Sequence, residues 1–499
     1  MSIILIKNIQ LLDGTGRPAV KADILVKKEK IYAIGSFPNY EADKIIDGIG
    51  AYLTPGFIDI NTDSDHYLTL FSNPSQKDFL LQGVTTIIGG QCGASLAPLL
   101  YGSLESIKSW ANTSRTNINW QTVAEFLKVM DKMLLGINFG TLVGHYTIRQ
   151  SLIGNTFRKL TRNEIAVFRS LLERSLKEGA FGFSTGLGYL QSQQVPYSEL
   201  KSLVEIVSKF KGFYATHLRN EREDLLDSVN ETIKIAKETG VKTLISHFRP
   251  IIGFEEDYKT SLELINKNIA KADIHFDLCP FDTSNVPISF LLPSWAQSRD
   301  REMMLKNLQV LKIREKILKE LPKLNGRKII IISAPGNEYL LNKSLEEFSA
   351  NRNLDVKNGL LTLMEITDFQ AVVFYGNIDI KGVKKALSHE RAIIASNRAS
   401  SLIQTDTNLA CPNANFTFTK FLELSEKENI LPIEKAVNKI TGLPAQQLGL
   451  RDRGVIRDGN FADLVIFRDS KIRDVILNGK IVVRDGEFKD VLAGQILRS

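Results

Sequence analysis

Short apolar stretches separated by polar turns occur at both ends of the chain. In the first fifty residues the apolar runs, such as residues 24–26, are separated by turns that contain glycine. The last fifty residues have the same pattern, in which Asn478-Gly479 and Asp485-Gly486 are strong β-hairpin signals. We therefore predict that residues 1–54 and 448–499 form the two parts of one small, β-sandwich-like domain.

Residues 55–447 have a different pattern, in which short apolar runs alternate with longer segments of helical periodicity, such as 199–210 and 223–237. This alternation favours an α/β fold with a parallel sheet, and we predict a TIM-type (β/α)8 barrel with one or two additional strands. In such a barrel, catalytic residues follow the carboxyl ends of the strands. The predicted strands are 56–59, 85–88, 138–143, 182–184, 213–215, 243–246, 273–277, 329–332, 371–374 and 392–395.

Composition excludes several other classes of protein. The chain has 63 Lys and Arg against 56 Asp and Glu, and the two signs are interspersed, which argues against a nucleic-acid partner. No apolar stretch approaches the ~18–20 residues of a membrane span. The three cysteines, Cys92, Cys279 and Cys411, are far apart and show no disulfide framework, so we expect a cytoplasmic protein. The oligomeric state cannot be inferred.

Polar side chains follow most of the predicted strands. Cysteine and histidine converging from separate strands are ligands that suit a zinc-type ion. Any one of these residues, taken alone, could equally be a buried structural side chain. The residues at strand ends are Asn61, Asp63, Asp65, Cys92, His145, His217, His247 and Asn397.

Several motifs along almost the whole chain resemble the amidohydrolase superfamily, and specifically its N-acyl-D-amino-acid deacylase (D-aminoacylase) branch. The resemblance implies a barrel with a small β-domain and hydrolysis of a linear amide, most simply an N-acyl-D-amino acid. The stretches that carry it are 55–59, 82–98, 144–149, 183–187, 216–221, 245–247, 454–464 and 475–479.

The resemblance also implies roles for individual residues. Cys92, His217 and His247 stand where the family holds a tightly bound zinc ion, and three protein ligands are typical of a catalytic zinc site. We expect one tight zinc ion, with a second site doubtful. Arg219 and Arg249 are candidates to bind a substrate carboxylate. The other positions expected to line the substrate pocket are His145, Ser184, Tyr189 and Ser284.

The sequence departs from the family at two places. Asn61-Thr62-Asp63 replaces the His-x-His pair after the first barrel strand, and Asn397 replaces the catalytic aspartate of the last strand. An asparagine amide cannot act as a base near neutral pH. Asp63 and Asp65 share one face if the strand remains extended, so either carboxylate could be the base, and Asp63 could be a metal ligand. Both could instead be solvated loop carboxylates.

Two alternative functions follow from these departures. The chain could be an amidohydrolase that acts on a cyclic amide or an ester, substrates that need less assistance from a base. It could also be a catalytically degenerate barrel that keeps its metal and serves as a binding protein. We assign no role in metal binding to His66, His275 or His389, which we expect to be surface or core residues.

Overall fold

A computed structural model describes residues 3–499 except 109, 112, 114–116, 155, 157, 190, 298–300 and 401–411. Cys411 therefore lies outside the described residues. In chain order, the strands are β1 (Ile3–Leu11), β2 (Val20–Lys27), β3 (Lys30–Gly35), β4 (Lys44–Asp47), β5 (Tyr52–Pro55), β6 (Phe57–Asp59), β7 (Val84–Gly89), β8 (Asn138–Thr141), β9 (Val143–Gly144), β10 (Gly182–Gly186), β11 (Phe213–His217), β12 (Lys242–Ile245), β13 (Ile274–Leu278), β14 (Ser284–Pro287), β15 (Ile329–Ser333), β16 (Val372–Tyr375), β17 (Ala392–Ile394), β18 (Leu464–Arg468), β19 (Lys471–Leu477), β20 (Lys480–Arg484) and β21 (Glu487–Phe488).

The α-helices lie mainly between the strands of the central part of the chain. Several begin at a capping box, in which a Thr or Ser and a Glu three residues later satisfy the free backbone N–H groups, as at Thr122, Thr161 and Ser344. The helices are α1 (Thr69–Ser72), α2 (Lys77–Leu80), α3 (Val123–Lys132), α4 (His145–Ile153), α5 (Arg162–Lys177), α6 (Tyr197–Lys209), α7 (Leu225–Thr239), α8 (Glu255–Asn268), α9 (Arg301–Gln309), α10 (Leu311–Glu320), α11 (Leu345–Ala350), α12 (Val356–Ile366), α13 (Ile380–Ser388), α14 (Pro412–Glu428), α15 (Ile433–Ile440) and α16 (Gly442–Leu448).

The central part of the chain is a TIM-type barrel. One run of parallel strands is β6-β7-β8, and the other is β9-β10-β11-β12-β13-β17. Leu142 separates β8 from β9 and donates its backbone N–H to Gly89, so the two form one interrupted barrel strand. The barrel closes between β17 and β6, where Thr62 is bridged to Arg398 and Asn397 donates its N–H to the carbonyl of Asn61. The predicted barrel is confirmed.

The barrel strands are buried on both faces, as expected for a parallel sheet covered by helices. Side chains alternate between two apolar clusters along each strand. Ile58 and Ile88 belong to the cluster that also contains Leu244 from β12 and Ile393 from β17. Phe57 and the other alternate residues pack instead against the surrounding helices. This alternation fixes which residues can reach the mouth of the barrel.

Two of the ten predicted strands lie outside the barrel. β15 and β16 pair with β14 in an antiparallel sheet of order β14-β16-β15. Together with helices α9 to α12, this sheet forms an insert between the barrel strands β13 and β17, with its own apolar core around Ile331 and Phe348. The insert therefore begins shortly after the carboxyl end of β13, at the mouth of the barrel.

The two ends of the chain meet in one sheet, as predicted. Its strand order is β21-β20-β19-β18-β5-β1-β2-β3, and β4 pairs with β1. The pairing of β18 with β5 joins the C-terminal strands to the N-terminal ones. The division of the chain into domains at 54/55 and 447/448 stays a prediction. Among the described residues, the structure contains no helix both long enough and apolar enough to cross a membrane.

Candidate metal centre

Three buried side chains from separate strands meet at the mouth of the barrel. Cys92 lies in the loop after β7, His217 ends β11 and His247 follows β12. Their candidate ligand atoms all lie within 4.8 Å of one another, and Cys92 Sγ is 3.6 Å from His247 Nε2. One thiol and two imidazoles form a donor set suited to a zinc-type ion.

The hydrogen bonds of His247 leave one ring nitrogen directed at this cluster. Its Nδ1 is 3.0 Å from Glu221 Oε1, while its backbone N–H donates to Asp277 Oδ1 at 2.8 Å. Burial lowers the pKa of His247, but Glu221 and Cys92 outweigh burial and raise it well above its ordinary value. These groups favour positive charge at His247, and a bound cation would satisfy the same preference. A carboxylate behind a ligand histidine is a common arrangement in metal sites.

His217 provides a second indication that the cluster fits a metal. Its Nδ1 atom is buried and has no hydrogen-bond partner among the described residues. Burial is the main cause that lowers the pKa of His217 to about 3, and the charge of His247 is the second. The ring is therefore neutral, and its nitrogen without a proton is free to bind a cation. The two histidine rings are nearly perpendicular, with centroids 4.3 Å apart. The donor set and the unpartnered nitrogen both fit a metal ion.

The backbone is held in an uncommon conformation at three residues of the site. Cys92, His247 and Asn397 have φ values of 49°, 40° and 51°, in the left-handed region that non-glycine residues rarely adopt. Such conformations persist where the surrounding structure enforces them, and they cluster at functional sites. Two of the three candidate ligands, Cys92 and His247, are therefore held by backbone conformations that the surrounding structure enforces.

The loop that carries Cys92 is fixed by two buried side chains. Ser184 donates to the carbonyl of Gly90 at 2.5 Å and accepts from the N–H of Gly93 at 3.0 Å. Asp65 accepts from the N–H of Gly90 at 2.6 Å, and burial raises its pKa. The hydroxyl of Ser184 is thus engaged with the backbone, and its expected contact with substrate stays a prediction. Asp65 likewise positions the loop.

Asn61 takes part in a buried polar network beneath the site. Its Nδ2 donates to Asp277 Oδ2 at 3.1 Å, and its Oδ1 is buried without a partner among the described residues. Burial is the main cause that raises the pKa of Asp277 to about 6 and that of Asp59 to about 8. Asp59 accepts from the backbone N–H of Ser396 at 3.2 Å, which holds the end of β17 beside β6.

Asp63 is paired with His66, a residue to which the sequence assigned no role. His66 Nδ1 lies 3.1 Å from Asp63 Oδ1, and His66 Nε2 lies 3.0 Å from the carbonyl oxygen of Ala94. Burial lowers the pKa of His66, but the carboxylates of Asp65 and Asp63 raise it to about 10. His66 is buried, whereas the Asp63 side chain is 17% exposed, so the carboxylate is the accessible member of the pair. Asp63 lies outside the three-residue ligand cluster.

The two arginines expected to bind substrate differ in their surroundings. Arg219 forms an ion pair with Glu231 and donates to the carbonyls of Gln193 and Val195. Its guanidinium is therefore engaged by protein groups, and its expected role in binding a substrate carboxylate stays a prediction. Arg249 is half-buried, and its Nε donates to the carbonyl of His247 at 3.2 Å. Its charge lowers the pKa of His217, although less than burial does, which places it near the ligand cluster.

The remaining predicted pocket residues have defined contacts. His145 is fully buried, with its Nε2 2.9 Å from Glu199 Oε1 and its ring against Phe168. Ser284 donates to Asn377 Oδ1 at 2.7 Å at the start of the insert. The hydroxyl of Ser284 and the Nε2 of His145 are thus engaged by protein groups.

An aromatic wall stands beside the ligand cluster, formed by Trp110, Tyr189 and Phe290. The ring of Tyr189 lies 4.8 Å from that of His217, and it meets Trp110 and Phe290 edge-on at 5.9 and 6.3 Å. All three aromatic residues are only half-buried. The pKa of Tyr189 is raised well above its ordinary value, mainly because the hydroxyl is shielded from solvent and secondly by the charge of Cys92. The wall gives the site an apolar surface, and the ring of His66 stacks on Trp110 at 5.0 Å.

The chain is similar in sequence and fold to known proteins. The sequence profile of the amidohydrolase family matches residues 52–482. A D-aminoacylase from Alcaligenes xylosoxydans xylosoxydans is 29% identical, over 98% of this chain and 96% of that protein. An N-acyl-D-aspartate deacylase from the same organism is 27% identical, over 94% and 86%. A solved D-aminoacylase, described as having a binuclear metal centre with one-metal activation and second-metal attenuation, superposes with a TM-score of 0.80 at 26% identity and covers 99% of both chains.

The contact between Glu221 and His247 leads to a first prediction. Replacing Glu221→Gln removes the negative charge behind His247, so the affinity for a divalent metal should fall by ~10–100-fold. The measurement is competition for metal between the purified protein and a chelator of known affinity. Glu231→Gln is the matched control, because Glu231 pairs with Arg219 instead. Equal affinities for the two variants would contradict the assignment.

Proposed function

The chain belongs to the amidohydrolase family, and we propose that it is a metal-dependent hydrolase that cleaves N-acyl-D-amino acids to a carboxylate and a D-amino acid. The observation that carries the proposal is the buried cluster of Cys92, His217 and His247 at the carboxyl ends of barrel strands. The similarity to D-aminoacylase over nearly the whole of both chains supports the linear amide as substrate.

The resident metal in this proposal is a single tightly held zinc ion. The donor set of one cysteine and two histidines is the basis for naming zinc. The histidine pair expected after the first barrel strand is replaced by Asn61 and Asp63, and Asn61 is engaged with Asp277. That replacement leaves few donors for a second ion. When bound, the metal supplies Lewis-acid polarisation of the amide carbonyl and activation of water.

Asp63 is the residue proposed to move the proton. A general base must be an accessible carboxylate or imidazole, and Asn397 cannot serve. His66 holds one oxygen of Asp63 through a hydrogen bond, which leaves the other oxygen free to take a proton from the attacking water. The same carboxyl group would then return the proton to the departing amine. Because both hydrogen-bond partners of the His66 ring are oxygen acceptors, this ring is a positioning residue rather than a second base.

Substrate binding is assigned to the two contrasting sides of the site. Arg249 is the proposed partner of the substrate α-carboxylate, since guanidinium and carboxylate groups pair in a bidentate manner. The aromatic wall of Trp110, Tyr189 and Phe290 is the proposed surface for the acyl group. In this proposal the scissile amide lies between Arg249 and the aromatic wall, beside the ligand cluster.

Parallel assays of three substrate classes test the proposed function. Zinc-loaded protein should release amine from N-acetyl-D-amino acids, while the L-enantiomers, cyclic amides and simple esters should be turned over more slowly. Chelation should abolish release of the amine, and added zinc should restore it. Preferential ring opening or ester cleavage would favour the alternative amidohydrolase activity. No turnover of any class by metal-loaded protein would favour the binding protein.

The proposed role of Asp63 gives a separate prediction. Asp63→Asn should lower kcat by ~10²–10⁴-fold, the usual contribution of general acid–base catalysis, while the protein keeps its metal. Asp227→Asn is the matched control, because Asp227 is an exposed residue of α7. Steady-state kinetics and metal analysis would be made on the same preparations. Loss of the metal would make Asp63 a ligand, and an unchanged kcat would exclude it as the base.

A further inference from the structure

We propose that Arg398 is a second carboxylate-binding residue, so that the preferred substrates are N-acyl amino acids with an acidic side chain. This inference rests on the proposed function and specifies its substrate class. Arg249 would bind the α-carboxylate, and Arg398 would bind the carboxylate of an aspartate- or glutamate-type side chain. Arg398 follows Asn397 at the end of β17.

The environment of Arg398 is unusual for a buried cation. The residue is only 7% exposed, yet within the described part of the chain its guanidinium has no ion pair and no hydrogen bond. Among the residues that the structure describes, the other two buried arginines both have a carboxylate partner, since Arg149 pairs with Glu199 and Arg453 pairs with Asp463. Burial of an unpaired charge is costly, because the guanidinium loses its hydration without gaining a counter-ion. A ligand carboxylate would supply the missing partner.

The position of Arg398 is fixed by contacts on two sides. Its carbonyl accepts the backbone N–H of Asp63 at 2.8 Å, and its backbone is bridged to Thr62. Its guanidinium lies over the ring of Phe374 in β16, 5.5 Å from the centroid. A cation over an aromatic face keeps its N–H groups available at the edge of the plane. Arg398 therefore lies between the residue proposed as base and the insert.

Arg249 and Arg398 are suitably placed to act on one small molecule. Arg249 follows β12 and Arg398 follows β17, and the sheet order places only β13 between these strands. Two strand spacings correspond to about 10 Å between the backbones, a gap that two long side chains can narrow from both sides. The backbone N–H of Asp63 is hydrogen-bonded to the carbonyl of Arg398, but the Asp63 carboxylate pairs with His66 and not with the Arg398 guanidinium. The two cations therefore remain available for a dicarboxylate.

The experiment compares isosteric acidic and neutral ligands. For the wild-type protein, N-acetyl-D-glutamate should have a KM at least ~10-fold lower than N-acetyl-D-glutamine, since a charge-assisted bidentate contact is worth about this factor or more. In Arg398→Gln the KM for the glutamate derivative should rise ~10–100-fold, while that for the glutamine derivative changes less than ~3-fold. Arg314→Gln is the matched control, because it removes a cation of the insert that pairs with Glu365.

A binding measurement separates this inference from the proposed function. Calorimetric titration of D-glutamate and D-glutamine into the metal-loaded protein needs no turnover, and D-glutamate should bind at least ~10-fold more tightly. If Arg398→Gln fails to fold, the affinities of the wild-type protein for D-glutamate and D-glutamine still test the proposal. The same comparison can be made with Arg398→Lys, which keeps the charge. Equal affinity of the wild type for the two ligands would overturn the proposal. An equal loss for both ligands in Arg398→Gln would also overturn it.

Discussion

Closure of the barrel is the constraint on which the site depends. Cys92 follows β7, whereas His217 ends β11 and His247 follows β12, and two barrel strands lie between β7 and β11. Only a closed, curved sheet brings these strand ends within ligand distance. The hydrogen bonds between the ends of β17 and β6 complete that closure, and they involve Asn61 and Asn397, two residues that the sequence predicts to depart from the family's pattern. The same contacts therefore hold both the fold and the site.

The residues predicted to depart from the family's pattern have defined contacts in the structure. Asn61 donates to Asp277, whose other oxygen holds the backbone of His247. Asp63 Oδ1 is 3.1 Å from His66 Nδ1, three residues along the chain, so its carboxylate has a fixed orientation. The proposed function combines one metal ion at the ligand cluster, Asp63 as the base, and arginines and aromatic rings that bind the substrate.

Much of the fold could be predicted from the sequence, because buried parallel strands form distinct apolar runs. All ten predicted strands exist, but apolar runs do not reveal pairing partners, so β15 and β16 could not be assigned to the insert. The convergence of Cys92, His217 and His247 was predicted from strand ends and the family resemblance. The occupied hydroxyl of Ser184 could not be predicted, because its partners lie more than ninety positions away. His66 was missed because its importance depends on Asp63 and Ala94 meeting in space.

The central claim is that one thiolate and two imidazoles hold the catalytic metal. Zinc-edge X-ray absorption of the purified protein tests it most directly, since sulfur and nitrogen ligands differ in scattering and distance. The account predicts a single sulfur neighbour at ~2.3 Å together with nitrogen or oxygen neighbours at ~2.0–2.1 Å, among them two imidazoles. In the Cys92→Ala protein the sulfur contribution should disappear. A spectrum of the wild-type protein without sulfur, or with more than one sulfur neighbour, would contradict the account.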